Sequence, residues 1–251
     1  MTRTQKQIEA LRQGEACIEV RDAAGRPRRG VPVWVEQETH EFPFGCVLPY
    51  ISDTISEFDR LRCRERMADV FNRLLPAGQV AERGTTSIEI PEKVRLPELG
   101  FELDQLAAMG RQVEILLRGR SVGLRAGSTD AEEAGAAERI AELYTFCFAH
   151  PAANAIVWDG IWDGEASAQG GGLLRADLSP KRAFRYLHKL IGTIWHSRAA
   201  GQTDADGCYR FRGFFGDYRA AARVGEVPAV VAPFAFTGPG EAIMQLTLPT
   251  A

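Results

Sequence analysis

The chain has 251 residues, of which 45% are hydrophobic and 25% charged, and a formal net charge of -3. This composition is typical of a globular protein and excludes a disordered or fibrous one. The slightly acidic balance argues against a basic surface for nucleic acid or anionic membrane. No apolar run approaches the roughly 20 residues of a membrane span, and the N-terminus lacks the apolar core of a secretory signal. We therefore expect a cytoplasmic protein with no nucleic-acid partner and no membrane partner.

The cysteines and histidines do not form a ligand pattern. The five cysteines are odd in number and have no C-x-x-C spacing, and the four histidines do not form a pair on one helix. Reduced and mostly buried thiols are the expected state. The sequence predicts no metal site and no cofactor.

The two ends of the chain have the pattern of β-strands. Alternation in CIEVRD and VPVWVEQ, separated by a Gly/Pro turn, predicts a strand pair over 17–37, with Val31, Val33 and Val35 on one face. Residues 207–218 and 229–248 are predicted as further strands joined by Gly/Pro turns. These segments indicate a β-sandwich.

The middle of the chain alternates between helical and strand patterns. Helices are predicted over about 58–72, over 98–109, from a capping box at Thr129 and Glu132 to about 148, and after Ser179-Pro180. Buried strands are predicted near 42–46, over 113–117 and over 156–158. This order is typical of β/α units.

The segment from Ala149 to Tyr218 is the most specific part of the chain. It contains HPAANAIVWDGIWDG, GLLRADLSPKRAFRYLHKLIGTIWHS and GQTDADGCYRFRGFFGDY in succession. In this order it resembles the end of the family-ten glycoside hydrolases, the endo-xylanases. HEFPFGC at 40–46 is similar to the first barrel strand of such proteins. The resemblance is specific at 149–218, fair at 17–45 and poor between them.

The resemblance implies an α/β chain with a β-sandwich. A discontinuous sandwich of 14–39 and 202–251 would flank a truncated (β/α) TIM-type barrel over 40–201. A complete barrel takes about 250 residues, so we expect about four barrel strands, the first two and the last two. Their exposed edges favour a second polypeptide that completes the barrel as a heteromer, or self-association. The alternative is a self-contained half barrel.

The residues that hydrolyse glycosides in the family are not found at the matching positions. A xylanase-type enzyme uses one carboxyl group as acid/base and another as nucleophile. The resemblance places the nucleophile at Leu117, and the strand of the acid/base is absent. Arg118 and Arg120 follow directly and favour a small anionic or zwitterionic ligand. The alternative is that these arginines pair with Glu114 or with an acidic rim of Asp159, Asp163 and Glu165.

Five further candidates lie where the predicted last barrel strand ends, at the face where barrel sites lie. The resemblance implies that Trp158 and Trp162 form an aromatic floor for a sugar ring, unless they pack against the next helix. Asp159, Asp163 and Glu165 form an acidic rim, with Asp159 and Asp163 as candidate catalytic groups and Glu165 as a ligand-binding residue. The alternative for these acids is simple solvation.

A narrower resemblance links these features to function. Paired xylanase-like subunits occur in bacterial pathways to aziridine-containing natural products of the azinomycin and ficellomycin type. There, two partial chains close an aziridine ring as an amine displaces sulfate from an amino-acid intermediate. That chemistry needs an anion clamp, for which Arg118 and Arg120 are candidates, and a base, for which Asp159, Asp163 and His40 are candidates. The alternative for His40 is a hydrogen-bonded structural histidine.

Other functions are compatible with the same sequence. A non-catalytic carbohydrate-binding pseudo-xylanase would keep Trp158 and Trp162 for stacking, and an inert assembly subunit would use neither set. We predict that the chain is not an active glycoside hydrolase; whether it is itself an enzyme, as one subunit of a heteromeric lyase or cyclase, stays open.

Overall fold

The computed structural model describes residues 2–48, 56–76, 79, 85–164, 171–223, 225, 230–238, 240 and 242–249. Helices and strands alternate in the middle of the chain, and strands dominate its two ends. The helices are α1 Arg3–Arg12, α2 Glu57–Ala68, α3 Leu96–Ala108, α4 Asp130–Phe148 and α5 Arg182–Lys189. The strands are β1 Gln13–Arg21, β2 Pro32–His40, β3 Phe44–Val47, β4 Arg73–Leu75, β5 Ser87–Glu89, β6 Val113–Arg118, β7 Ala153–Asp159, β8 Arg198–Gln202, β9 Cys208–Phe214, β10 Gly216–Ala222, β11 Val230–Phe236 and β12 Ala242–Thr247.

The chain divides into two compact units. One comprises residues 5–42 and 195–251, and the other comprises 2–4 and 43–194. The second segment of the first unit thus begins at 195, before the boundary at 202 that the sequence suggests, because β8 pairs with β2. The first unit is the sandwich unit and the second is the parallel-sheet unit.

The sandwich unit contains two sheets with a shared apolar core. Their strand orders are β12-β1-β9 and β11-β10-β2-β8. Alternation along β2 places Val33 and Val35 in the core and Trp34 and Glu36 on the opposite, exposed face. The core also contains Tyr218, whose hydroxyl donates to the carbonyl of Phe214 and whose burial raises its pKa to about 12.

Among the described residues, the parallel-sheet unit is built on one five-stranded sheet in the order β4-β3-β7-β6-β5, and all its pairings are parallel. Its carboxyl ends therefore lie at one edge. The prediction of a mixed α/β chain with a parallel sheet is confirmed. The sequence suggests about four barrel strands, and β5 is the additional strand; β4 and β5 form the two ends of the sheet among the described residues.

One face of this sheet packs against α4. Phe44 of β3 contacts the rings of Tyr144 and Phe148 on that helix, at 6.4 and 5.3 Å between centroids. The helix begins with the capping box that the sequence predicts, in which Thr129 and Glu132 bond to each other's backbone N–H. Trp158 lies on this helix-packed face, since it pairs with Cys46 two residues beyond Phe44.

The other face has a small apolar cluster of Val47, Leu75, Leu116 and Val157, each at most 4% exposed. A buried ion pair lies on the same face, where Arg73 Nη1 is 3.1 Å from Glu114 Oε1. We call this second face the inner face; its apolar cluster is buried within the single chain, which differs from the exposed apolar flank that a truncated barrel suggests.

Candidate functional site

A cluster of four charged side chains lies at the carboxyl edge of the parallel sheet. Arg118 ends β6, Asp159 ends β7 and Glu89 ends β5, so three neighbouring strands place them together. Arg120 follows in the short 3-10 helix 119–122. We call these four residues the Arg118 cluster.

Arg118 lies between the two carboxylates. Its Nε donates to Asp159 Oδ2 at 2.8 Å, and its Nη1 lies 3.0 and 3.1 Å from the two oxygens of Glu89. Arg120 donates to the same Glu89 carboxylate. The register pairs Arg118 with Asp159 directly, which is why the two side chains leave the sheet side by side.

The cluster is electrically balanced and partly accessible. Two guanidinium groups face two carboxylates, and side-chain exposure runs from 23% for Asp159 to 46% for Arg120. The strand end is therefore not the purely cationic edge that the sequence suggests. Arg118 pairs with Asp159 of the acidic rim, which is one of the two pairings that the sequence leaves open. The other pairing, with Glu114, is not made, because Glu114 pairs with Arg73.

The backbone behind the cluster allows little substitution. A Cβ on Gly119 would lie 1.9 Å from the carbonyl oxygen of Gly171. Only glycine permits this approach of the two loops. The segment that joins Arg118 to Arg120 is thus held against the loop that follows β7.

Asp163 belongs to a separate, buried ion pair. Lys181 Nζ lies 2.8 and 2.7 Å from the two oxygens of Asp163, and the side chains are 1% and 6% exposed. Lys181 also donates to the carbonyl of Arg125 at 3.2 Å, and Gly172 N–H donates to Asp163. Lys181 is thus buried although it lies at the start of α5, and Asp163 bonds to Lys181 rather than facing open solvent.

Two tryptophans, one near the end of β7 and one just after it, are buried. Trp158 is 0% exposed and donates from Nε1 to the carbonyl of Gly160, while Trp162 is 8% exposed and donates to the carbonyl of Ala176. Neither indole presents an open face to a sugar ring. The burial of both indoles favours packing over the aromatic floor, and Trp158 lies on the sheet face that packs against α4.

Leu117 faces away from the Arg118 cluster. It pairs in register with Trp158 on the helix-packed face and is 0% exposed. Alternation along β6 instead places Leu116 and Arg118 on the inner face. A carboxylate at position 117 would be buried under helix packing rather than directed at a ligand.

Two candidates remain, His40 and Glu165. His40 ends β2 in the sandwich unit, where its Nδ1 is 3.4 Å from Gln37 Nε2 and its ring meets Phe214 edge-on. These contacts fit the structural alternative for His40. Glu165 lies outside the described residues.

Glu89 is the member of the cluster that the sequence does not reveal. It ends a strand of three residues, Ser87–Glu89, which is too short to show a clear period. Alternation of isoleucines with polar residues in SIEI is the one signal available. That signal is shared with many exposed loops.

Two kinds of feature are absent from the described residues, a cluster of metal ligands and a membrane-spanning helix. No group of three or more possible metal ligands occurs among them. None of the described helices combines the length and the apolar character that crossing a membrane requires.

No protein-family model matches the chain. Over 98 residues it is 31% identical to the anti-sigma-I factor RsgI6 of Acetivibrio thermocellus, a match that covers 39% of this chain and 13% of that protein. The chain thus spans a small part of this curated relative.

Two solved structures are similar in part. Native xylanase 10B from Thermotoga maritima matches at 16% identity and a TM-score of 0.35, over 56% of this chain and 44% of that chain. Xylanase 10B from Thermotoga petrophila RKU-1 in complex with xylobiose matches at 16% identity and a TM-score of 0.33, over 55% and 41%.

Proposed function

We propose that this chain is a non-hydrolytic, xylanase-like subunit that binds a small anionic or zwitterionic substrate at the Arg118 cluster. The observation that supports this most is the position of Arg118 between Glu89 and Asp159 at the ends of neighbouring parallel strands. In open and closed α/β sheets alike, ligands bind at the carboxyl ends of the strands.

The charges of the cluster suit a ligand that has both signs. A guanidinium group binds carboxylate or sulfate through two parallel hydrogen bonds. A carboxylate such as Asp159 accepts from an ammonium group. A zwitterion can therefore pair its anionic group with Arg118 and its ammonium group with Asp159, so that no charge is left unpaired. A neutral glycan that displaced the same ion pairs would leave charges uncompensated.

The same geometry argues against glycoside hydrolysis. A glycosidase holds two carboxyl groups across an open space that receives the scissile bond. Here the guanidinium of Arg118 occupies the space between Glu89 and Asp159, with contacts of 2.8 to 3.1 Å. A sugar at this place would have to displace Arg118.

For the reaction we propose aziridine ring closure within bacterial secondary metabolism. Asp159 takes a proton from the substrate ammonium, and the freed nitrogen lone pair forms the bond to the neighbouring carbon. The carbon–oxygen bond to sulfate breaks and its electron pair leaves with the sulfate, which Arg118 and Arg120 bind. The remaining ring N–H⁺ proton passes to water. Positioning and charge stabilisation supply the acceleration.

We further propose that a second polypeptide, or a second copy, completes the barrel. The support is the sheet order, in which the short strands β4 and β5 form the two ends of the described sheet. The outer edge of a sheet presents backbone N–H and C=O groups to which a further strand can add. The partner would add the strands that the resemblance implies are missing.

Calorimetric titration with serine O-sulfate tests the proposal, because this probe has an ammonium, a carboxylate and a sulfate group. Arg118→Ala should cost about 2 to 4 kcal/mol of binding, and Arg118→Lys should cost less. The matched control is Arg95→Ala, whose side chain is 74% exposed in a pair with Glu98 and should matter by well under about 1 kcal/mol.

Two results would contradict the proposal. One is equal affinity of Arg118→Ala and wild type for serine O-sulfate. The other is glycosidase turnover on aryl xylosides that depends on Glu89 or Asp159. A chain that binds serine O-sulfate but releases sulfate only after co-expression with its partner would support the heteromeric form.

A further inference from the structure

We propose that the sandwich unit has a second binding site, a groove for a neutral saccharide centred on Trp34. The groove lies on the outer face of the β11-β10-β2-β8 sheet and has a volume of about 400 Å³. Its lining includes Trp34, Glu36, Arg198, Ala200, Arg219 and Ala221. The site lies in a different unit from the Arg118 cluster and does not depend on the function proposed above.

Trp34 is an exposed aromatic platform. Its side chain is 47% exposed, whereas the other three tryptophans of the chain are at most 8% exposed. In register, Trp34 lies between Ala200 of β8 and Ala221 of β10. Because an alanine side chain ends at Cβ, both flanks of the indole stay open to a flat ligand.

A polar row crosses the sheet next to this platform. Glu36 lies two residues beyond Trp34 on β2, and it pairs in register with Arg198 of β8 on one side and Arg219 of β10 on the other. Arg198 donates from Nε to Glu36 Oε1 at 2.8 Å, and Arg219 pairs with Glu38 at 2.6 Å. The row thus presents donors and acceptors that hold one another in place, and its charges sum to zero.

These features select the ligand class. A pyranose ring has an apolar face of C–H groups and a rim of hydroxyl groups, which matches an indole beside a hydrogen-bonding row. The balanced charges of the row disfavour a polyanion such as nucleic acid, which needs a net positive surface. The volume is within the range of small-molecule sites. Because the groove is built on paired strands, its geometry is fixed before binding.

Acrylamide quenching of tryptophan fluorescence tests the site with cellotriose and xylotriose as probes. Trp34 accounts for the quenchable signal, because the other three indoles are buried. A bound saccharide should protect Trp34 from acrylamide. By calorimetry, Trp34→Ala should weaken saccharide binding at least roughly tenfold, and Trp34→Phe should have an intermediate effect.

Two variants serve as controls for this experiment. Ala200→Gln keeps the indole and the fold but fills one flank of the groove, so it should weaken binding as well. Phe101→Ala removes another exposed aromatic, at 66% exposure on α3, and should leave binding unchanged.

The proposal is overturned if neither saccharide protects Trp34 at about 10 mM, a concentration that detects even weak binding. It is also overturned if protection rises with protein concentration in the absence of saccharide, since a second copy would then cover the face. Neither outcome affects the titration with serine O-sulfate, which probes the parallel-sheet unit.

Discussion

Replacing Lys181 by methionine should destabilise the chain by about 4 kcal/mol. Lys181 Nζ makes contacts of 2.7 and 2.8 Å to Asp163 and 3.2 Å to the carbonyl of Arg125, with 1% of the side chain exposed. Methionine conserves the volume but leaves the buried carboxylate with Gly172 N–H as its remaining donor from this set. Breaking one partner of a buried pair costs roughly 3 to 5 kcal/mol.

The double variant Lys181→Met/Asp163→Leu separates charge from packing. The double variant removes both charges and so leaves no buried charge without a partner. Most of the free energy of unfolding that the single variant loses should therefore be recovered. Urea denaturation followed by circular dichroism gives the free energy of unfolding for both variants. A single-variant loss below about 1 kcal/mol, the value of an exposed pair, would refute the reasoning. So would a double variant no more stable than the single one.

Three further predictions follow from the same structure. Wild type should not hydrolyse aryl xylosides, and Leu117→Glu should destabilise the fold without creating activity, because position 117 is buried beside Trp158; xyloside turnover by the variant would disprove this. Burial and the charge of Arg198 lower the pKa of His196, whereas Glu36 acts in the opposite direction. As the pH drops from about 7 to 5, the unfolded state therefore binds the proton before the folded state does, and the free energy of unfolding should fall. His196→Gln should show a shallower fall, and the same pH dependence in variant and wild type would contradict this prediction. Native mass measurement should find an oligomer, with a co-expressed partner or a second copy, and a lone monomer at micromolar concentration would count against it.

The parts of the fold that the sequence predicts are those with strong local patterns. The capping box at Thr129 fixes the start of α4, and alternation over 31–35 fixes the core face of β2. By the same alternation Trp34 faces outward, so the exposed platform could have been predicted from the sequence. Sequence patterns are informative here because each is decided within a few residues.

The candidate site could be predicted only in part, because it depends on contacts between distant strands. Arg118 and Asp159 follow from their strand ends, but Glu89 completes the cluster from a strand of three residues. The balance of charge at Arg118 therefore could not be derived without the sheet order. The burial of Lys181 could not be predicted for the same reason, because the carboxylate that compensates its charge belongs to Asp163, 18 residues earlier in the chain.

A crossed titration tests the central claim most directly, that the Arg118 cluster recognises a small charged ligand and not a glycan. Serine O-sulfate and xylotriose are each titrated into wild type, Arg118→Ala and Trp34→Ala. We predict that Arg118→Ala loses serine O-sulfate alone and that Trp34→Ala loses xylotriose alone. Xylotriose binding that depends on Arg118, or serine O-sulfate binding indifferent to it, would contradict the account.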